Sequence, residues 1–116
     1  MINMHELAIT ESIIEAAVSA AEKNGAEKIL EIRLRIGEIS GIVPDCILEY
    51  FDLASRGTIA EGAEIFFEKI PATISCRDCG YDGVISRGSY TCPQCGSAAF
   101  SLTGGREFYV ESLKVE

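Results

Sequence analysis

The apolar and polar positions of this chain follow two periods, and each period predicts a different kind of element. Apolar residues recur every three or four positions over residues 8–24 and over residues 44–56, which is typical of amphipathic helices. Apolar and polar residues alternate over residues 28–36 and 108–115, and residues 63–70 are rich in Ile and Phe, so these three segments are predicted strands. The pattern therefore predicts an α+β fold with two helices and three long strands.

Four of the five cysteines lie between the second and third of these strands. Cys76 and Cys79 form one Cys-x-x-Cys knuckle, Cys92 and Cys95 form a second, and a glycine follows each knuckle. The two-residue gap lets both sulfurs of a knuckle reach one ion, and four thiolates complete a tetrahedral shell around Zn²⁺. Because a closed shell leaves no open position for chemistry, we expect a structural zinc site.

The cysteine segment divides the chain into two predicted domains. Residues 73–104 are expected to form an inserted zinc ribbon, and residues 1–72 with 105–116 to form an α/β domain. The two strands that flank the insertion are expected to pair with each other. Glycines beside the insertion permit an exchange of elements between two chains, so a homodimer is an open alternative.

Composition and charge restrict the class of protein. The chain has 116 residues, about one small domain, and a formal net charge of -8. Residues 73–104 contain two arginines, two aspartates and no lysine, so we expect no nucleic-acid partner, because phosphate binding needs clustered basic residues. We also expect no membrane partner and a cytoplasmic location, since the sequence shows neither a signal-peptide pattern nor a long apolar run. In a reducing compartment paired knuckles bind metal rather than forming disulfides.

A second candidate site lies near the amino terminus, where the single histidine, His5, precedes Glu6. An imidazole nitrogen, a carboxylate oxygen and nearby backbone nitrogens form a ligand set that suits Ni²⁺ or Cu²⁺ in tetragonal geometry. We expect such a site to be exposed and to release its ion readily, which a metal carrier requires. A surface His–Glu pair that binds no metal is the alternative that the residues alone leave open.

Several segments of the chain together resemble the HypA/HybF family of nickel-insertion accessory proteins in NiFe-hydrogenase maturation. They are residues 4–7 (Met-His-Glu-Leu), residues 37–41 (Gly-Glu-Ile-Ser-Gly), residues 57–63 and the two cysteine knuckles. The resemblance extends from Met4 to Val115. The Met-His-Glu start and the double knuckle are specific in combination, whereas neither is specific alone.

The resemblance implies a nickel metallochaperone that is not an enzyme. It implies two helices on one face of a three-stranded sheet, with a zinc ribbon projecting from it. It also implies that His5, assisted by Glu6 and backbone nitrogens, binds Ni(II) as transient cargo, and that the four knuckle cysteines hold structural Zn(II). The implied partners are a HypB-type GTPase and the immature large subunit precursor of the hydrogenase, and some family members also serve urease. The family usually starts at the methionine of Met-His-Glu, whereas residues 1–3 precede it in this chain. If the protein carries residues 1–3, the Met4 nitrogen is a peptide amide; if the protein starts at Met4, this nitrogen is a free amine.

Other interpretations of these residues stay open. The two knuckles are also similar to those of a rubredoxin-like iron redox module, since four thiolates suit iron as well as zinc, although the chain has no Trp. A zinc ribbon that serves only as an interaction module is a further alternative. Cys46 is interpreted as a small buried residue in preference to an accessory metal ligand. Glu38 is either a partner contact or a group that orients a nickel ligand, and the glycines beside it are attributed to turn chemistry.

Overall fold

The computed structural model describes residues 4–86 and 88–116, with the side chains of Met4 and His5 outside this description. Its elements in chain order are α1 (Met4–Lys23), β1 (Ile29–Gly37), α2 (Pro44–Ala54), β2 (Glu64–Ile70), β3 (Thr73–Cys76), β4 (Asp82–Val84), β5 (Phe100–Gly104) and β6 (Phe108–Val115). The two helices and three long strands lie where the periods predict them. α1 begins earlier than predicted and takes the Met-His-Glu segment into its first turn.

The apolar faces predicted from the two periods form the core of the first compact unit. α1 packs against α2, and α2 buries Ile47 and Phe51. β1 contributes Ile32 and Leu34, which are completely buried, as the alternation predicts. Neither helix in the described part of the chain has the length and apolar character that crossing a bilayer requires.

The sheet of this unit has the order β2-β1-β6, so the prediction that β2 and β6 pair with each other is wrong. β1 lies between them. Reciprocal backbone hydrogen bonds between Lys28 and Glu116, of 3.3 and 2.8 Å, place β6 antiparallel to β1. β2 reaches the other edge of β1 through the α2 crossover, and the Glu38 amide bonds the Ile70 carbonyl at 2.8 Å. A strand–helix–strand connection favours neighbouring strands in one sheet, which is why β2 lies beside β1.

The second compact unit contains a small antiparallel sheet of order β4-β3-β5. Its central strand, β3, was not predicted as a strand. Ile74 of β3 lies opposite Gly83 of β4 and Leu102 of β5 and is completely buried. The core of this unit is small and consists of Ala72, Ile74, Cys76, Ile85 and Cys92. Two of these five residues are knuckle cysteines, so the core of this unit includes part of the cysteine cluster.

The two units are not continuous along the chain. Among the described residues, the first comprises those up to Arg35 with Ile42–Glu68 and Tyr109–Glu116, and the second comprises those within Ile36–Gly41 and Lys69–Phe108. The second unit therefore includes residues 37–41, the Gly-Glu-Ile-Ser-Gly segment, which we call the root loop. The root loop is hydrogen-bonded to the two segments that lead into and out of the cysteine-containing part of the chain. Three backbone hydrogen bonds of 2.6, 2.8 and 2.8 Å make this connection: from Gly37 to Glu107, from Glu38 to Ile70 and from Ile39 to Gly105.

Candidate metal centre

The two cysteine knuckles have the same backbone structure. In each, the glycine amide bonds the carbonyl of the first cysteine, from Gly80 to Cys76 at 3.1 Å and from Gly96 to Cys92 at 2.8 Å. Both glycines have left-handed backbone angles, with φ of 76° and 77°. Glycine adopts this conformation without the steric cost that a side chain would add, which is why it follows each knuckle.

The knuckles bring their four sulfurs together. The ligand atoms of Cys76, Cys79, Cys92 and Cys95 all lie within 4.8 Å of one another. The Cys76 and Cys95 Sγ atoms are 3.6 Å apart, as are those of Cys79 and Cys92. Disulfide sulfurs would be about 2.0 Å apart, so these distances exclude a bond. Sulfurs bound to one tetrahedral zinc at about 2.3 Å would be about 3.8 Å apart, and the cluster therefore fits a tetrahedral ion.

The ionisation of the thiols shows what a cation would do in this cluster. Burial disfavours the thiolate of Cys92, but hydrogen bonds from the Cys95 and Gln94 amides, together with those from the Cys79 and Cys95 thiols, lower the pKa of Cys92 to about 7. The Tyr81 amide favours the thiolate of Cys79, but burial and the three neighbouring thiols raise the pKa of Cys79 to about 12. Neighbouring thiols cannot all ionise at neutral pH unless a positive ion compensates their charge.

The four ligands differ in exposure. Cys76 and Cys92, the first cysteine of each knuckle, are 3% and 2% exposed. Cys79, the second cysteine of its knuckle, is half-buried, and the corresponding Cys95 is exposed. The centre therefore has a buried side and a solvent side. Within the described residues, this is the one group of His, Cys, Asp and Glu side chains whose ligand atoms converge for a metal.

The predicted nickel ligands lie in the first turn of α1. The side chain of His5 is outside the described part of the structure. Glu6 is only 2% exposed, which differs from the exposed site expected from the sequence. Because the helix begins at Met4, Glu6 lies one turn before the buried Thr10 and shares its inner face. The Thr10 hydroxyl also bonds the Glu6 carbonyl at 2.6 Å.

The structure brings Cys46 of α2 to Glu6. A hydrogen bond with the Glu6 carboxylate, together with burial, raises the pKa of the Cys46 thiol. Cys46 is half-buried rather than fully buried, so it is not only a small core residue. The sequence contained no local signal for this pair, because it depends on how the two helices pack. Glu38, in contrast, contributes a backbone bond to the root loop.

Comparison with known proteins identifies the family of this chain. Residues 4–115 match the family model described as "Hydrogenase/urease nickel incorporation, metallochaperone, hypA". A hydrogenase maturation factor HypA of Dehalococcoides mccartyi is 40% identical over 113 residues, covering 97% of this chain and 95% of that protein. One from Methanothermobacter thermautotrophicus is 38% identical over 120 residues, covering 97% and 98%.

Two solved structures have the same fold. The solution structure of a HypA protein matches with a TM-score of 0.74 and 25% identity, covering 98% of both chains. That of the Ni metallochaperone HypA from Helicobacter pylori matches with a TM-score of 0.70 and 23% identity, covering 95% of this chain and 96% of that one. On the sequence match and the shared fold, this chain belongs to the HypA family of nickel-incorporation metallochaperones.

Proposed function

We propose that this protein binds Ni(II) through His5 and Glu6 and delivers it during the maturation of a NiFe hydrogenase. The protein is then a carrier and not an enzyme. The observation that supports the proposal most directly is the family match from residue 4 to residue 115, which begins at the Met-His-Glu segment. The Cys76, Cys79, Cys92 and Cys95 shell would hold zinc, which supplies positive charge and a cross-link between the knuckles.

The first turn of α1 has the chemistry that a releasable nickel site needs. A backbone nitrogen of this turn would bind nickel after losing its proton, as peptide nitrogens do in tetragonal geometry. Glu6 places a carboxylate in this turn, which offsets the unfavourable effect of the positive helix end on a cation. The hydrogen bond with Cys46 gives this carboxylate a defined position. With one imidazole and one carboxylate as side-chain ligands, nickel would be held moderately and could pass to a site with more ligands.

The proposed partners are a HypB-type GTPase and the precursor of the hydrogenase large subunit, and delivery to urease is a further proposal. The curated relatives are described as hydrogenase maturation factors, which favours hydrogenase as the first target to test. The net charge of -8 favours partners with basic surfaces. A reducing compartment such as the cytoplasm would keep the ribbon thiols available for metal.

The proposal is tested by titrating Ni²⁺ into the zinc-loaded protein by calorimetry, with zinc content and the visible spectrum recorded on the same samples. We expect about one nickel per chain with micromolar affinity, which corresponds to about 8 kcal/mol. His5→Ala is expected to abolish this binding without loss of zinc, and Glu6→Gln to weaken it. Glu11→Gln, which removes an exposed carboxylate from the same helix, is the matched control and should bind like the wild type.

Equal nickel binding by the wild type and His5→Ala would overturn the proposed site. A chain that begins at Met4 distinguishes a free amine from a peptide amide as the nitrogen ligand, since only the free amine binds nickel without displacing an amide proton. Visible charge-transfer bands in the protein as isolated would indicate iron at the four cysteines and favour the redox module instead.

A further inference from the structure

A polar contact crosses between the two knuckles on the solvent side of the metal centre. The Ser97 hydroxyl donates a hydrogen bond to the Asp78 carboxylate. Asp78 directly precedes Cys79, and Ser97 follows Cys95 by two residues. The contact therefore joins the two chain segments that carry the more exposed pair of ligands.

Backbone hydrogen bonds hold Ser97 in place for this contact. Its carbonyl accepts a hydrogen bond of 2.7 Å from the amide of Cys92, the buried ligand of the second knuckle. Its hydroxyl oxygen accepts a second bond, of 3.0 Å, from the Ala99 amide. With its oxygen fixed by Ala99, the hydroxyl is free to direct its proton to Asp78. Ser97 thus binds the second knuckle through its backbone and the first knuckle through its side chain.

We propose that Asp78 and Ser97 form a latch that keeps the metal in the four-cysteine centre. An ion leaves such a shell one ligand at a time, and the ligands that water and chelators reach first are those on the solvent side. For Cys95 to move away from the ion, its segment must separate from the segment of Cys79. The latch opposes this separation, so the pair acts as positioning residues for the exposed ligands. The inference depends on metal at the four cysteines and not on the proposed nickel site.

Ser97 makes the latch distinguishable from a general electrostatic effect. The Asp78 carboxylate attracts a departing Zn²⁺ and repels an anionic chelator, so its removal accelerates transfer through charge as well as through loss of the contact. Ser97 is uncharged, and its removal breaks the contact without changing the charge near the ion. If the contact is the cause, Ser97→Ala also accelerates transfer; if charge is the cause, Ser97→Ala transfers its ion like the wild type.

The test is the rate at which the zinc-loaded full chain transfers its ion to an excess of the chromogenic chelator 4-(2-pyridylazo)resorcinol. We expect Ser97→Ala and Asp78→Ala each to accelerate transfer by about tenfold, the lower end of the effect of groups that orient metal ligands. The double variant should be no faster than either single variant, because both remove the same contact. Ser97→Thr keeps the hydroxyl and should restore the wild-type rate to within about twofold.

Asp82→Ala is the matched control for charge, because Asp82 is an exposed aspartate in the same unit and lies on β4. It should not accelerate transfer. Spectra of the cobalt-substituted variants should keep the absorption bands of a four-sulfur tetrahedral site, which reports that the ligand set is unchanged. Slower or unchanged transfer in Ser97→Ala or in Asp78→Ala would overturn the latch, as would failure of Ser97→Thr to restore the rate. Equal acceleration by Asp82→Ala or a changed cobalt spectrum would also overturn it, since the effect would then come from charge or from altered ligands.

Discussion

At Gly37, the first residue of the root loop, replacement by alanine adds only a methyl group but should destabilise the fold strongly. A Cβ atom at Gly37 would lie 2.1 Å from the Gly105 carbonyl oxygen, 2.2 Å from its carbon and 2.6 Å from the Arg106 nitrogen. All three atoms belong to the backbone. No change of side-chain rotamer can relieve the contact, so Gly37→Ala has to move one main-chain segment relative to the other.

The size of the effect follows from these distances. The new Cβ would have to move by about 1.3 Å to pass from 2.1 Å to the 3.4 Å of an ordinary contact. Overfilling a packed site costs about 1–3 kcal/mol. The displacement also strains the 2.6 Å bond from Gly37 to Glu107 and the 2.8 Å bond from Ile39 to Gly105, each contributing about 1 kcal/mol. We therefore expect a loss of about 3 kcal/mol in the free energy of unfolding, or about 10 °C in Tm for a chain of this length.

Gly41→Ala is the matched control in the same loop. Gly41 has φ of 81°, but a Cβ there would meet no atom within 4 Å. Its substitution costs only the left-handed conformation of an alanine, about 1–2 kcal/mol. Urea denaturation with excess zinc gives both free energies, and amide exchange by NMR shows whether protection at Gly37 and Ile39 is lost in Gly37→Ala. If Gly37→Ala were no less stable than Gly41→Ala, with both amides still protected, the close-approach argument would be refuted.

Three further predictions test the core and the two sites. Cys76→Ser should lower the zinc content, measured by mass spectrometry, well below one ion per chain. The far-UV circular dichroism signal of the helices should stay unchanged, because Cys76 lies in the core of the second unit. Full retention of zinc would contradict this prediction. Glu6→Gln removes the carboxylate that raises the pKa of the Cys46 thiol, so a larger fraction of this thiol is ionised at pH 8. Iodoacetamide should therefore alkylate Cys46 of the zinc-loaded protein several-fold faster than in the wild type. An unchanged alkylation rate would contradict the contact between Cys46 and Glu6. Leu34 is 0% exposed, and Leu34→Ala should lower the free energy of unfolding, measured by urea denaturation, by about 2–5 kcal/mol. Leu53 is 61% exposed, and Leu53→Ala should change this free energy by no more than about 0.5 kcal/mol. Equal effects of the two substitutions would contradict the assigned core.

The elements that the sequence predicted are those whose pattern is local. Alternation over β1 identifies Ile32 and Leu34 as its buried face because the side-chain period of a strand is two. Alternation does not say which strand lies beside which, and the expected pairing of β2 with β6 was therefore wrong. β3 was missed because it has only four residues and owes its strand conformation to pairing with both β4 and β5.

The difference between local patterns and contacts that depend on the fold applies to the sites as well. The Cys-x-x-Cys-Gly spacing specifies each knuckle within a few residues, and the four converging sulfurs could be predicted from it. The contact of Ser97 with Asp78 spans 19 residues, and that of Cys46 with Glu6 joins two helices. No local pattern marks such pairs, since polar residues of these types are common on any surface. Turn chemistry explains Gly41, but Gly37 is required by a close approach that only the fold creates.

In the proposed carrier, the two metal sites have opposite kinetic requirements. The amino-terminal site has one imidazole and one carboxylate as side-chain ligands, so that nickel can leave. The ribbon centre has four thiolates, a set that binds soft and borderline metals strongly. If zinc left this centre, the vacated thiolates would compete with His5 and Glu6 for nickel and retain the cargo. Slow zinc release therefore protects delivery as well as the fold of the ribbon. Slow zinc release is favoured by a small core that includes the ligands Cys76 and Cys92. It is also favoured by the polar contact between the two segments that carry the exposed ligands.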